Sequence, residues 1–72
     1  MTPKQQKVAD LAQAKGLQIV FAPLTNTLLV RTETGSIGIQ SHGKSHEVWF
    51  TPNSWGFTSN VPMKSVVEML SR

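Results

Sequence analysis

Between residues 17 and 52 the chain is cut into four short apolar runs by closely spaced turn signals, and this punctuation limits the fold more than any other feature. Residues 17 to 22 alternate, with Leu17, Ile19 and Phe21 sharing a face. Residues 27 to 32 are rich in β-branched and aliphatic side chains, residues 36 to 40 put Ile37 and Ile39 together, and residues 46 to 51 form the last run. Period-two alternation over so few residues is the pattern of half-buried strands. Pro23-Leu24-Thr25-Asn26, Glu33-Thr34-Gly35 and His42-Gly43-Lys44-Ser45 supply the turns, and connections this short join antiparallel neighbours.

The flanking segments change period. Thr2-Pro3 with Gln5 reads as an N-cap, a proline in the first turn and a capping-box partner, and Gly16 stands where a left-handed C′ residue ends a helix. The pattern predicts a helix over 3–15, with Val8, Leu11 and Ala12 inward and Gln5, Gln6, Asp10 and Gln13 toward water. Pro52 ends the last strand, and the following loop carries Trp55 and Phe57, expected to fold back over the core edge. Asn60 is expected to cap a second helix with Pro62 in its first turn and Met63, Val66, Val67 and Leu70 along one stripe. The expected fold class is α+β, one small domain over 1–72: helix, antiparallel three- to four-stranded sheet, helix (α-β-β-β(-β)-α). Both helices should cover one face, because a sheet this small supports one core.

A chain of 72 residues leaves no room for a two-domain enzyme. Charged residues make up 15% and hydrophobic ones 39%, while Ser, Thr, Asn and Gln number 22, so the surface is polar but sparsely charged. Seven basic residues against four acidic give a net charge of +3, the sign that an anionic partner requires. The lack of cysteine excludes disulfides and thiolate metal sites and points to an intracellular, cytoplasmic setting. No stretch nears the ~18 apolar residues of a membrane span, so no membrane partner is expected.

Gly38 to Ser45 spells G-x-x-x-x-G-K-S, the pattern of a phosphate-cradling loop. That device runs from strand into helix, whereas residues 46 to 51 continue as strand, so the reading preferred is a hairpin turn. His42 and His46 lie four apart with Glu47 next, but no Cys or further His completes a tetrahedral site. No metal and no cofactor are therefore expected, and His42 reads as an exposed turn residue.

The run Gly43-Lys44-Ser45-His46-Glu47-Val48-Trp49, then Pro52, then Val61-Pro62 leading into an amphipathic helix, resembles the HicA-type toxins, small mRNA interferases. The resemblance spans roughly residues 43 to 70, with Lys44 where the family usually carries a glycine before Ser-His. It implies a fold like that of double-stranded-RNA-binding domains, a toxin–antitoxin role, an antitoxin as partner and His46 as the catalytic residue. Metal-independent RNA cleavage needs a base for the 2′-hydroxyl or an acid for the leaving oxygen, and histidine suits either. Lys44 would stabilise charge on the phosphate and Ser45 would hydrogen-bond a non-bridging oxygen. Arg31 and Lys64 join them as candidate RNA contacts. The contrary reading leaves His46 facing solvent opposite Gln40 or Ser41.

Two functions from different classes follow. The first is a small RNA-binding module, an endoribonuclease if His46 is catalytic. The second is a non-catalytic inhibitor or adaptor of the kind encoded by phages and mobile elements, whose partner would be a host protein, because uncharged polar surfaces with tryptophan suit wet protein interfaces. Trp49 and Trp55 either stack on bases or pack in the core. An uncovered edge strand offers a third use, homodimerisation.

Overall fold

The computed structural model describes residues 1–54 and 56–72, so the expectation for Trp55 lies outside the described residues. Helix α1 (Pro3–Ala14) leads into strands β1 (Gln18–Ala22), β2 (Thr27–Arg31), β3 (Gly35–His42), β4 (Ser45–Pro52) and β5 (Ser59–Asn60), and helix α2 (Met63–Leu70) follows. The strands form one antiparallel meander in the order β1-β2-β3-β4-β5, each hydrogen-bonded to its neighbours in sequence. The α+β layout and the single helix-covered face are as the sequence predicts. No helix among the described residues is long and apolar enough to cross a membrane.

Register decides which side chains form the core. Leu28 pairs with Ile39 and Val30 with Ile37, while across the next ladder Ile39 meets Val48 and Ile37 meets Phe50. Successive side chains alternate faces, so these residues share one side, and Val8, Ala9 and Ala12 of α1 with Val66 and Leu70 of α2 close over them. Leu17, Ile19 and Phe21 pack at the margin of the same core. Along α1 it is Ala9, not Leu11, that is fully buried beside Val8 and Ala12, because a small side chain lets the helix approach the sheet.

Three expectations are corrected. Gln5 does not face water: it is 0% exposed. Its Nε2 donates to the carbonyls of Asn26 and Ile39, both at 2.8 Å, and its Oε1 accepts from the backbone N–H of Thr2 at 3.0 Å. Every polar atom of the amide is thus satisfied, which is the condition for burying one. Asn26, at φ 52, is a left-handed turn residue, and its carbonyl also accepts the N–H of Ser41 at 3.0 Å. Asparagine tolerates that conformation better than other non-glycine residues.

Second, Asn60 caps no helix. It pairs with Trp49 as part of β5, and Pro62 stands at the N-cap of α2 without a side-chain hydrogen bond. The edge of β4 offers unpaired backbone groups, and the short segment gains more by completing that ladder than by capping. Third, Phe57 does not cover the core: it is 94% exposed, in the segment that leads into β5.

Gly38 lies beneath Trp49, its partner across the β3–β4 ladder. A Cβ at Gly38 would overlap the Trp49 indole, whose Cε2, Cζ2 and Nε1 atoms lie over the glycine backbone. The tryptophan therefore rests flat on the face that no helix covers.

Two substitutions test this architecture. Gln5→Ala removes three hydrogen bonds and opens a cavity, and denaturant unfolding should show a loss of about 2 to 4 kcal/mol. That is a large share of the ~4 to 11 kcal/mol expected for a domain of this size. Gly38→Ala should cost about 1 to 3 kcal/mol through overpacking, with a change in tryptophan emission as the Trp49 ring is displaced.

Candidate functional site

His46 lies on β4 opposite Ser41, but alternation turns it to the helix-covered side. It is half-buried, and its Nε2 is 2.7 Å from Oγ1 of Thr2. The expectation that His46 simply faces solvent is therefore replaced by an attachment to the start of α1. Thr2 is the N-cap of that helix, accepting from the N–H of Gln5 at 3.3 Å, and the capping box predicted from Thr2 and Gln5 is complete. One hydroxyl thus serves both the helix end and the histidine.

The other ring nitrogen, Nδ1, is buried and has no hydrogen-bond partner among the described residues. A neutral imidazole carries its proton on one nitrogen. A proton on Nδ1 would orphan a buried donor, whereas a proton on Nε2 donates to Thr2 and leaves only a lone pair unpaired. Orphaned donors are the rarer and costlier case, so the Nε2–H tautomer fits this geometry. In that form the proton-bearing nitrogen is engaged with Thr2, and proton transfer to or from a ligand requires that contact to open.

Both helices begin at this end of the sheet. Thr2 reaches His46, and the backbone N–H of Val61 bonds the carbonyl of Val48, which brings the start of α2 to the level of His46 on β4. At the other end Lys15 Nζ donates to the carbonyl of Arg72 at 2.6 Å, so the helices also finish together. The parallel arrangement directs two positive dipole ends toward the His46 pole. Lys4 and Lys64 stand in the first turns of α1 and α2, and Lys44 lies in the adjoining β3–β4 turn, all exposed. Lys4 is not among the RNA contacts expected from the sequence; the bond between Thr2 and His46 is what brings the first turn of α1 to this pole.

The remaining site candidates separate. Ser45 points to the opposite face from His46, and its hydroxyl donates to the carbonyl of His42 at 3.2 Å. Arg31 is on that face too, opposite Ser36, five residues along β3 from the Ser41–His46 pair, or about 16 Å at strand rise. His42 is exposed and 3.3 Å from Glu47, a surface pair of small energetic weight. Among the described residues no three His, Asp or Glu side chains gather to hold a metal.

The phosphate-loop pattern resolves into unrelated parts. Gly38 accommodates Trp49, and Gly43, at φ 65, occupies the first central position of a two-residue hairpin turn whose flanks His42 and Ser45 are paired. Glycine there and an ordinary φ at Lys44 match a type II′ turn. Strand β4, not a helix, follows the turn, so the loop does not open into a helix as a phosphate-cradling loop does. One cleft lies at the opposite pole, between Lys15, Leu17, Glu33, Met69 and Leu70, and another runs along α1 between Pro3, Gln6, Lys7, Asp10 and Leu11.

The sequence matches no known family model, and neither a curated protein nor a solved structure matches it.

Thr2→Ala removes the cap and the His46 contact together and should cost about 1 to 2 kcal/mol, whereas Thr2→Ser should retain most of the stability. Nitrogen-15 NMR of the imidazole should report the Nε2–H tautomer in the wild type at neutral to alkaline pH. A dominant Nδ1–H form would contradict the bonding described here.

Proposed function

We propose that this protein is a small RNA-binding module that meets phosphates with the pole where its two helices begin. The observation carrying this reading is the distribution of charge. The helices and the residues that end them hold Lys4, Lys7, Lys15, Lys64 and Arg72 against Asp10 and Glu68, a net +3 equal to that of the whole chain. The sheet contributes Arg31 against Glu47 and the turns Lys44 against Glu33, so both cancel. An RNA backbone is therefore drawn to the helix layer rather than to the bare sheet. Lys4, Lys44 and Lys64 are the cations at the pole, and backbone N–H groups of the two first turns add to them.

His46 is central to this pole, as the resemblance to mRNA interferases would require of a catalytic residue. For it to act, the Thr2 hydroxyl must release Nε2 when RNA binds. With its proton moved from Nε2 to Nδ1, the released ring would take the 2′-hydroxyl proton at Nε2, and the imidazolium so formed would give a proton from Nε2 to the leaving oxygen, with Lys44 stabilising the phosphate. Ser45 and Arg31 belong to the other face and have no part in this step.

A second reading is favoured by a separate observation. On the helix-free face Val20, Leu29 and Trp49 form an apolar row across β1, β2 and β4, with Val20 49% and Leu29 36% exposed. Gln18, Arg31, Ser36 and Thr51 flank it on one side and Thr27, Gln40 and Glu47 on the other. A tryptophan within a polar margin that carries one charge of each sign is the composition of a protein-recognition patch, which suits an adaptor or inhibitor.

Salt dependence separates the two. Binding to single- and double-stranded RNA oligonucleotides should weaken steeply between about 50 and 200 mM salt. Replacing Lys4, Lys44 and Lys64 together by Gln should lower affinity by about tenfold or more and flatten the salt slope. Cleavage that His46→Ala abolishes while binding persists would establish the nuclease. No binding at low salt would discard the RNA reading and leave the sheet face as the working surface.

A further inference from the structure

The two edges of the sheet are finished differently. At one edge β5 covers the middle of β4, the Val61 N–H continues the pairing to Val48, and the Thr51 and Thr58 hydroxyls meet at 2.9 Å. At the other, β1 pairs with β2 alone among the described residues. Its sequence, Gln-Ile-Val-Phe-Ala, has no charge, no proline and no bulge in its register. Those are the features by which natural edge strands avoid pairing with another chain.

Hydrogen-bond parity shows what this edge offers. Ser41 N–H bonds Asn26 and Thr32 N–H bonds Gly35, so even-numbered residues of β2 turn their backbone groups to β3 and odd-numbered ones to β1. Their β1 partners are Gln18, Val20 and Ala22. Ile19 and Phe21 consequently direct N–H and C=O outward, because bonding direction alternates along a strand.

We propose that β1 pairs antiparallel with β1 of a second copy of this chain about a two-fold axis at Val20. The strand is self-complementary in that register. Ile19 faces Phe21 of the other copy twice, and each of the two pairs exchanges two N–H···O bonds, four in all. The side chains of both pairs lie on the helix-covered side, where Ile19 and Phe21 are now only partly buried, so the two cores become continuous. Val20 meets Val20 as the close, non-hydrogen-bonded pair on the bare face. No charge from either strand opposes its counterpart. The pairing is isologous and closes on itself, leaving only the edges finished by β5 and hence no route to a fibre. Because β1 is short, the interface is smaller than the ~1,200 to 2,000 Å² of a standard stable complex, and the dimer should dissociate in the micromolar range.

The test uses the full chain in sedimentation equilibrium over about 5 to 500 µM, a span chosen to bracket micromolar affinity. The wild type should pass from monomer to dimer. Val20→Lys and Val20→Glu, each on the exposed face, should be folded by circular dichroism and at least tenfold weaker in self-association. An equimolar mixture of the two should regain a dimer, since opposite charges then meet at the axis. Leu29→Lys, one strand inward on the same face, should dimerise as the wild type does. A wild type monomeric throughout would overturn the proposal. So would a dimer that survives Val20→Lys but is lost with Leu29→Lys, which would place the contact on the sheet face instead, and so would a mixture that fails to pair.

Discussion

The side-chain amide of Gln5 fastens the helical layer to the sheet. It is fully buried and reaches three backbone groups, on the N-cap of α1, on the β1–β2 turn and in the middle of β3. Two of those groups are carbonyls separated by long stretches of sequence from the helix, so the bonds set both the distance and the rotation of α1 over the strands. A hydrophobic residue there would fill the volume without specifying an orientation. The satisfied amide does both, because an unmatched polar group at that depth would be costly.

From that attachment the candidate pole follows. With Gln5 held on Asn26 and Ile39, Thr2 lies against β4, and its hydroxyl meets His46. The strand β5 and the bond from Val61 to Val48 then return the chain so that α2 starts at the same end. Two helix beginnings, three lysines and a histidine are gathered by backbone pairing, without any one of them being adjacent to all the others in sequence. Positive character accumulates there because parallel helices add their dipoles rather than cancel them.

The bare side of the sheet has its own logic. Gly38 is needed because Trp49 lies across it, and the aromatic ring in turn covers backbone that no helix protects. The face is apolar along one row and neutral around it, unlike the charged helical side. The two surfaces thus differ in chemistry, and the β1 edge, paired on one side only among the described residues, lies between them.

Much of the fold was legible in residue patterns. The capping box of Thr2 and Gln5, the period-two runs and the glycine-containing turns depend on neighbours a few residues apart, so helix α1, strands β1 to β4 and the stripe on α2 followed from spacing alone. Gln5 was misread because its burial depends on carbonyls 21 and 34 residues away, and helical periodicity assigns a polar residue to water by default. Asn60 was misread because a cap and an edge strand compete for the same segment, and only the open side of β4 decides between them. The type of chemistry His46 can perform was written in the sequence; the Thr2 hydroxyl that holds it, the depth of its Nδ1 and the separation of Arg31 and Ser45 onto the other face were decided by tertiary structure, since alternation and register determine which groups meet.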